Sequence, residues 1–349
     1  MIECERFGDD FLSVLNLWAY DNNIPLSMTI ELTPFCNFNC VMCYVRLNKE
    51  QAHKQGRLLT VQEWLKIAEQ AKEKGTLNLT ITGGEPFLYP GFWELYQRLN
   101  EMGFIISVMS NGFLVDEAVM GRFREYGMPH IIKITVYGAS DETYKRVCDV
   151  SDGFTRVSAA IDLIKEAGVP LVLTSTIVKE NADDLQQIYD FAKQKDVPLK
   201  HTVSVVKSSR GALNSAEKSR FEFADFSDEL SAEYLESTKR PWTQNPFSLC
   251  ASKRNSVFVT WNGHLQLCSF LSKPYVQYSG DFGTDYEELS LKINNIKNPD
   301  ECLECEWKDF CQRCPAILCA ESGHPEKTDK AFCNMAKKLY EIYKIKKGI

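Results

Sequence analysis

Between Ser27 and Val206 the chain alternates strand-like and helical segments, and this alternation limits its fold more than any other feature. Parallel strands need long crossover connections, which the helical segments supply. Six such units fall short of the eight that close a full barrel. The sequence therefore predicts an α/β fold, a partial (β/α)6 TIM-type barrel with its active site at the carboxyl ends of the strands. The six predicted strands are Met28–Leu32, Leu77–Ile81, Ile105–Met109, Ile131–Val136, Leu171–Val178 and Leu199–Val206.

Helical periodicity fills the gaps between these strands. The clearest case is Thr60–Lys74, in which Thr60 and Glu63 are spaced as a capping box. An apolar patch at Phe11–Tyr20 predicts a short helix over the barrel. The remaining predicted helices are Phe92–Met102, Asp116–Tyr126, Phe154–Ala167 and Ala182–Lys195.

Charge and hydropathy exclude several classes of protein. A net charge of −7 argues against a general nucleic-acid binder, because phosphate binding needs a basic face. No apolar run approaches the roughly 18–20 residues that span a bilayer, and the acidic amino terminus does not resemble a signal peptide. We therefore expect a cytoplasmic protein, in which thiols stay reduced. In that compartment thirteen cysteines indicate metal or cluster binding and not disulfides.

Three cysteines stand close together directly after the first predicted strand. Cys36, Cys40 and Cys43 form a C-x3-C-x2-C run. Thiolates are soft ligands that select zinc, cuprous copper or iron–sulfur clusters. A closed site needs four protein ligands, and the nearest further candidate is His53. The run therefore favours a [4Fe–4S] cluster with one open iron, the alternative being three buried cysteines without a chemical role.

Polar and glycine-rich loops follow the next two predicted strands. In Thr82–Pro86 the pair Gly83 and Gly84 lets the backbone approach a ligand, and Glu85 can accept hydrogen bonds from an ammonium group. Ser110 and Asn111 offer short polar groups suited to a ribose or a carboxylate. Ordinary turns are the alternative for both loops.

Together these motifs resemble the radical S-adenosylmethionine (SAM) superfamily, whose C-x3-C-x2-C run follows a first strand and whose GGEP motif matches residues 83–86. The resemblance implies that the open iron chelates the amino and carboxylate groups of SAM. Reduction by an external electron donor such as flavodoxin or ferredoxin then cleaves SAM to a 5′-deoxyadenosyl radical.

The resemblance also implies roles for individual residues. The GGEP backbone and glutamate hold the SAM amino group, and Thr135 with Arg146 resembles the family's hydroxyl and arginine pair for the ribose and carboxylate. The family usually has an aromatic residue just before the third cysteine, where this chain has Met42. An aromatic residue follows that cysteine instead. The predicted cofactor-binding residues are Gly83, Gly84, Glu85, Ser110, Asn111, Thr135, Arg146 and Tyr44.

A second cysteine array lies in the last hundred residues. Two alternating apolar runs around Asn262 and Gly263 predict a β-hairpin between its first two members. The spacing alone leaves zinc and iron–sulfur clusters equally favoured. The eight cysteines are Cys250, Cys268, Cys302, Cys305, Cys311, Cys314, Cys319 and Cys333.

The order of this array resembles the SPASM extension found behind radical SAM barrels, although Cys311 and Cys314 are one residue closer than in that pattern. The resemblance implies two auxiliary [4Fe–4S] clusters. The inner one would take Cys250, Cys268 and Cys314, with Cys319 as fourth ligand or an open iron that binds substrate. The outer one would take Cys302, Cys305, Cys311 and Cys333.

These motifs and the shifts in composition divide the chain into four predicted parts. Residues 1–25 form an amino-terminal segment and residues 26–210 the radical SAM barrel. Residues 211–245 form a linker with one acidic helix, and residues 246–349 the SPASM-like extension. Arg210 and Lys207, just past the last strand, are interpreted as solvated linker charges, the alternative being that they face SAM or the substrate.

Proteins with a SPASM extension commonly modify peptides, so we expect hydrogen abstraction from a peptide or small protein substrate that leaves a crosslink, an oxidation or an epimerised residue. The alternatives are a dehydrogenase or epimerase of a small molecule such as an aminocyclitol or sugar, and a non-catalytic iron–sulfur electron carrier. No catalytic residue is fixed by the sequence. Cys148 is interpreted first as a packed or solvent-facing thiol, and a substrate-facing role is the alternative that makes it the catalytic candidate. An epimerase would need a hydrogen donor, for which Cys148 or Cys319 is a candidate, and a sulfatase maturase would need a carboxylate base, for which the sequence does not rank Asp141, Glu142 and Asp149.

Overall fold

The computed structural model describes residues 11–207, 210, 215–220, 243–248, 250, 255–311 and 313–347. Its strands form a single sheet in the order β6-β5-β4-β3-β2-β1-β7-β8-β9. The strands are β1 Ser27–Glu31, β2 Asn78–Thr82, β3 Ile105–Ser110, β4 Ile131–Thr135, β5 Leu171–Thr176, β6 Leu199–Thr202, β7 Ser256–Val259, β8 His264–Gln266 and β9 Val276–Gln277.

Strands β1 to β6 pair in parallel and build the predicted partial barrel. Alternate side chains face opposite sides, as in any strand. Along β1, Met28 and Ile30 are buried in the core, whereas Ser27 and Thr29 line a cavity. The α/β prediction and all six predicted strands are confirmed, with small differences at their ends.

Helices connect these strands and follow the sheet. The capping box predicted from Thr60 and Glu63 is present: Thr60 Oγ1 accepts from the Glu63 N–H at 3.2 Å, and Glu63 Oε2 accepts from the Thr60 N–H at 2.8 Å. The described helices are α1 Phe11–Asp21, α2 Lys49–Gln55, α3 Val61–Glu73, α4 Phe92–Glu101, α5 Glu117–Tyr126, α6 Asp141–Cys148, α7 Gly153–Glu166, α8 Leu185–Gln194, α9 Phe282–Asn294, α10 Asp300–Leu303, α11 Pro315–Ser322 and α12 Lys330–Lys347.

The fifth strand ends earlier than predicted because a side chain takes over its hydrogen bonds. Asn181 Oδ1 accepts from the Val178 N–H at 2.7 Å, and Asn181 Nδ2 donates to the Thr176 carbonyl at 3.1 Å. The chain therefore turns after Thr176. The predicted sixth strand likewise ends at Thr202 and not at Val206.

The predicted hairpin is present and extends the barrel sheet. Strands β7 and β8 pair antiparallel, and Gly263 takes a φ of +84° in the turn between them. The hairpin also joins the barrel, because β7 pairs in parallel with β1, with Phe258 beside Thr29. The cysteine-rich region therefore shares one sheet with the barrel.

Two remaining predictions concern the linker and the membrane. The acidic helix predicted within residues 211–245 lies in a stretch mostly outside the described residues. None of the helices described here has the length and apolar character needed to cross a bilayer.

Candidate functional site

A cavity of about 420 Å³ opens at the carboxyl ends of the parallel strands. It is bordered by the loop after β1 and by the ends of β2 to β6, which is where the barrel rule places a site. The predicted residues that line it are Cys36, Cys40, Cys43, Tyr44, Gly83, Gly84, Ser110, Asn111 and Thr135. The structure thus brings together nine side chains or backbone positions from four separate stretches of sequence.

Two of the three thiols receive hydrogen bonds from nearby N–H groups. Cys36 Sγ lies 3.3 Å from the Phe38 backbone nitrogen and 3.7 Å from Asn111 Nδ2. Cys43 Sγ lies 3.3 Å from the Arg46 backbone nitrogen. Donors aimed at sulfur favour the thiolate, because hydrogen bonds to an ionised acceptor are stronger than those to a neutral one. Burial has the opposite effect and raises the pKa of the Cys36 thiol.

The third thiol is buried against two neighbours on the far side of the loop. Cys40 forms side-chain hydrogen bonds with Tyr137 and Cys148. Cys148 is fully buried in the core and does not line the cavity. The burial agrees with a packed thiol, and a role as a catalytic hydrogen donor stays a prediction. Residue 148 supports the loop, with its carbonyl accepting from the Asn39 N–H at 2.9 Å.

The glycine pair packs directly on the cysteine loop. A Cβ at Gly84 would lie 2.4 Å from the Phe35 carbonyl oxygen, and one at Gly83 would lie 3.0 Å from the Thr33 carbonyl oxygen. Two backbone hydrogen bonds join the same two loops. The Gly84 N–H donates to the Thr33 carbonyl at 2.6 Å, and the Glu85 N–H donates to the Phe35 carbonyl at 2.9 Å. The glycines are required because any side chain would push the two loops apart.

Glu85 occupies a different place from the one predicted. Its carboxylate is fully buried, does not line the cavity and accepts from Ser110 Oγ and the Asn111 N–H, each at 2.9 Å. Burial raises the pKa of this carboxyl to about 7, although both hydrogen bonds act to lower it. Glu85 therefore fixes the loop after β3, and Asn111 in turn contacts Cys36.

Arg146 does not reach the cavity. Its Nε donates to the Glu180 carbonyl at 2.5 Å, and its guanidinium lies 3.9 Å from Asp184. The structure thus places the arginine on the exposed side of α6, and its contact with SAM stays a prediction. Thr135, its expected partner, does line the cavity, with its Oγ1 3.3 Å from Thr174 Oγ1.

The three candidate carboxylate bases lie outside the cavity as well. Asp141 accepts from the Thr155 N–H at 2.9 Å at the start of α6, and Asp149 forms an ion pair with Lys145 at its end. Glu142, beside Asp141 on the same helix, is not a lining residue either. The described cavity therefore offers no support for any of the three as a base that faces the substrate.

Arg210 lies beside the site, on the wall of a neighbouring cavity of about 290 Å³. It forms a bidentate ion pair with Glu31, at 2.8 and 2.7 Å, and the two side chains are only 10% and 2% exposed. Its guanidinium also lies 5.8 Å from the centre of the Tyr44 ring. The interpretation as a solvated linker charge is therefore wrong. Lys207 is likewise held in place, within 3.6 Å of Glu321 and 3.5 Å of Asp329.

Tyr44 joins the two cysteine regions. It follows Cys43 in the chain, and its hydroxyl lies 3.3 Å from the hydroxyl of Ser269, which follows Cys268. Its ring packs on Phe270 with centroids 4.7 Å apart. The side chain lines both the main cavity and a neighbouring one of about 320 Å³ that reaches Cys268.

Further cavity residues come from the last two barrel strands and were not predicted. Thr174 and Thr176 on β5 pair in register with Lys200 and Thr202 on β6, and all four line the cavity. The signal was present in the sequence, since polar residues at alternate positions of a barrel strand indicate an inner face that is not filled by core side chains.

The second cysteine array separates into two groups. Burial raises the pKa of Cys268 to about 12, with further increases from neighbouring Cys314 and Cys250. Burial likewise raises the pKa of Cys302 to about 11, with contributions from the thiols of Cys311, Cys333 and Cys305. These neighbours are the same sets that the SPASM resemblance assigned to the inner and outer sites.

Cys319 is buried in α11, where its sulfur lies 3.6 Å from both Ser272 Oγ and the Lys273 carbonyl oxygen. Its role as a fourth ligand stays a prediction. In the part of the chain that the structure describes, no three His, Cys, Asp or Glu side chains form a group that could hold a metal ion.

Several known proteins are similar to this chain in sequence. The Radical SAM superfamily model matches residues 30–192. The PqqA peptide cyclase of Granulibacter bethesdensis is 32% identical over 190 residues, which cover 54% of this chain and 50% of that protein. The sporulation killing factor maturation protein SkfB of Bacillus subtilis is 26% identical over 172 residues, 49% of this chain and 40% of that protein. The chain thus spans about half the length, or less, of these curated relatives.

Solved structures share the fold over most of the chain. SuiB of Streptococcus suis bound to its precursor peptide SuiA superposes with a TM-score of 0.65 at 16% identity, covering 92% of this chain and 80% of that one. Native anSMEcpe with bound AdoMet gives a TM-score of 0.64 at 18% identity, covering 93% and 98%. Residues 30–192, which carry the cysteine loop and the glycine pair, therefore belong to the radical SAM superfamily.

Proposed function

We propose that this chain is a radical SAM enzyme that cleaves SAM reductively and abstracts a hydrogen atom from a peptide, leaving a post-translational modification. The observation that carries the proposal is the single cavity shared by the three loop thiols and the Gly83–Gly84 backbone. Support for a peptide comes from the relatives, since PqqA peptide cyclases act on a peptide by name and SuiB holds a precursor peptide.

Three thiols on one loop are the donors that an iron–sulfur cluster takes, although the described side chains are not gathered into a metal site without it. Cys36, Cys40 and Cys43 would hold it, and three protein thiolates leave one iron free for another ligand. When bound, the cluster and SAM would supply the one-electron chemistry that removes a hydrogen atom from an unactivated carbon. Hydrogen bonds from the Phe38 and Arg46 backbone N–H groups and from Asn111 would stabilise the charge on the sulfurs.

The remaining lining residues would bind and orient the cofactor. The Gly83–Gly84 backbone is open to a ligand because no side chain covers it. Ser110, Asn111 and Thr135 present short polar groups to the cavity. Apolar residues on the same walls, such as Phe38, would exclude water from the reacting atoms.

The cysteine-rich region would contribute two auxiliary clusters. The inner one would be held by Cys250, Cys268 and Cys314, and the outer one by Cys302, Cys305, Cys311 and Cys333. The division is supported because the pKa of Cys268 and the pKa of Cys302 are each raised by neighbouring thiols of the same set. The electron for SAM cleavage would come from an external donor such as flavodoxin or ferredoxin. A cytoplasmic location would keep all these thiols reduced.

Cleavage of SAM tests the first half of the proposal. The protein is reconstituted anaerobically with iron and sulfide, reduced with dithionite and supplied with SAM, and 5′-deoxyadenosine is measured by liquid chromatography and mass spectrometry. Replacing Cys36, Cys40 and Cys43 together by alanine should abolish the product. The matched control is Cys302→Ala combined with Cys305→Ala, which removes two thiols that do not line the cavity and should retain it. Product formation by the triple variant would disprove the site.

Mass spectrometry of co-expressed candidate peptides tests the second half. A crosslink or an oxidation removes two hydrogen atoms from the peptide, and an epimerisation in D2O adds one solvent deuterium. Consumption of a sugar or an aminocyclitol, with every candidate peptide unchanged, would replace the peptide by a small-molecule substrate.

A further inference from the structure

Lys200 occupies the inner face of the barrel at the cavity. Residues in register on parallel strands project to the same side of the sheet. Lys200 pairs with Thr174, and Thr174 pairs with Thr135, so the three residues form one row across β4, β5 and β6. All three line the cavity. The lysine is therefore a wall residue of the candidate active site.

Its ammonium group has no acidic partner among the described residues. Among the described residues that line the cavity, Lys200 is the only lysine, arginine, aspartate or glutamate. No acidic side chain in the described ranges lies within 4.0 Å of its ammonium group. The other charges near the site are already used, because Arg210 is paired with Glu31 and Arg146 contacts Glu180 and Asp184.

A cation in a cavity requires a partner once a substrate displaces the water around it. Leaving it alone is costly, whereas a carboxylate both neutralises it and forms a charge-assisted hydrogen bond. The carboxylate of SAM is an unsuitable partner, because the proposed open iron at the loop after β1 would chelate that group. Strand β6 lies five strands away from β1 in the sheet, so its lysine faces the other part of the cavity.

We propose that Lys200 binds a side-chain carboxylate of the peptide substrate and thereby selects an aspartate or glutamate close to the modified residue. This inference rests on the proposed function, since it needs a peptide in the cavity. It names a specificity-determining residue that the cysteine and glycine motifs do not include.

A binding selection tests the inference without knowledge of the natural peptide. Immobilised, anaerobically reconstituted protein is incubated with SAM and an mRNA-displayed library of random heptapeptides, and the enriched sequences are read. The variants are Lys200→Met and Lys200→Glu. The matched control is Lys133→Glu, a charge reversal on the same face of β4 as Thr135, at a position that does not line the cavity.

The wild type should enrich peptides with an acidic residue at a fixed position. Lys200→Met should lose that preference and bind an isolated acidic peptide about tenfold more weakly, as expected for the loss of one charged hydrogen bond. Lys200→Glu should reverse the preference toward lysine and arginine, whereas Lys133→Glu should keep it.

Three results would overturn the inference: no acidic preference in the wild type, an unchanged preference in Lys200→Glu, or an equal loss in Lys133→Glu. The inference would also be rejected if Lys200→Met bound SAM more weakly, as measured by equilibrium dialysis, and kept its peptide preference. That result would show that the lysine binds SAM. Formation of 5′-deoxyadenosine by the wild type separates these results from a failure of the proposed function, in which no SAM cleavage would occur at all.

Discussion

Glu85 Oε2 accepts a hydrogen bond from the backbone N–H of Asn111 at 2.9 Å, and through this bond a buried carboxylate positions a residue that contacts the cysteine loop. Asn111 Nδ2 donates to Asn37 Oδ1 at 2.8 Å and lies 3.7 Å from Cys36 Sγ. The loops after β1, β2 and β3 are thus joined by one chain of hydrogen bonds. In this structure Glu85, the glutamate of the GGEP motif, holds the loop after β3 in place and does not line the cavity.

This placement makes stability depend on pH. The pKa of Glu85 is raised to about 7 in the folded protein, above its usual value of 4.5. The folded state therefore favours the protonated acid, and its contribution is fully present below pH 4.5 and lost as pH rises through about 7. We expect the free energy of unfolding to fall over this range by up to about 3 kcal/mol, at roughly 1.4 kcal/mol for each unit of pKa shift.

Glu85→Gln, the neutral isostere, should remove this slope. The measurement is denaturant unfolding under anaerobic conditions at several values between pH 5 and 8, with the two proteins compared at each pH. Subtracting one curve from the other cancels the pH dependence of all other groups. Parallel curves for wild type and variant would show that Glu85 titrates normally.

Substitution by alanine should have opposite effects on stability at two glycines, Gly84 and Gly121. Gly84→Ala would place a Cβ 2.4 Å from the Phe35 carbonyl oxygen, so we expect about 1–3 kcal/mol of destabilisation and a loss of SAM cleavage. Gly121→Ala, in the middle of α5 with no atom within 4 Å of the new Cβ, should stabilise by about 0.5–1 kcal/mol. Thermal unfolding and 5′-deoxyadenosine assays measure both, and equal behaviour of the two variants would contradict the packing argument.

The buried ion pair predicts a strong asymmetry between single and double substitutions. Arg210→Met leaves the Glu31 carboxylate buried without its partner and should cost about 3–5 kcal/mol of stability. Arg210→Met combined with Glu31→Leu should recover most of that loss, because no charge is left unpaired.

A surface pair provides the control for this experiment. Arg57 also binds a glutamate, Glu63, but the two side chains are 67% and 33% exposed. Arg57→Ala should therefore change stability by no more than about 1 kcal/mol. Denaturant unfolding of the wild type and the three variants measures the difference, and a loss at Arg210 no larger than at Arg57 would refute the buried role.

The metal content follows from the three proposed sites. Anaerobic reconstitution should give about twelve irons per chain, counting four for each site. Cys302→Ala combined with Cys305→Ala should reduce the count by about four while SAM-dependent cluster signals remain in electron paramagnetic resonance spectra. Zinc in the protein as isolated, or only about four irons after reconstitution, would refute the auxiliary clusters.

Local sequence signals predicted the barrel, the cysteine loop and the glycine pair. The capping box at Thr60, the hairpin at Gly263 and the cysteine loop depend on residues close in sequence, and each is found where it was expected. The GGEP glycines were also predicted correctly as cavity residues.

Long-range relationships account for what the sequence analysis missed. Arg210 lies 179 residues from Glu31 in the chain. The serine, lysine and arginine residues around it suggested a linker, and only the fold brings it to its buried partner. Arg146 was assigned by spacing, but spacing does not determine which side of α6 a side chain occupies. Cys148 is likewise separated from the cavity by the loop that it supports.

Strand β7 completes the hydrogen bonding of the strand that leads into the cysteine loop, since β1 lies between β2 and β7. A shortened protein that ended before β7 would leave the backbone of β1 unpaired on one side, and unpaired edges of this kind recruit other chains. The barrel and the cysteine-rich region are thus poor candidates for separate expression. Exchange of either part between relatives would have to preserve the pairing of Thr29 with Phe258, which lies just before the cysteine loop.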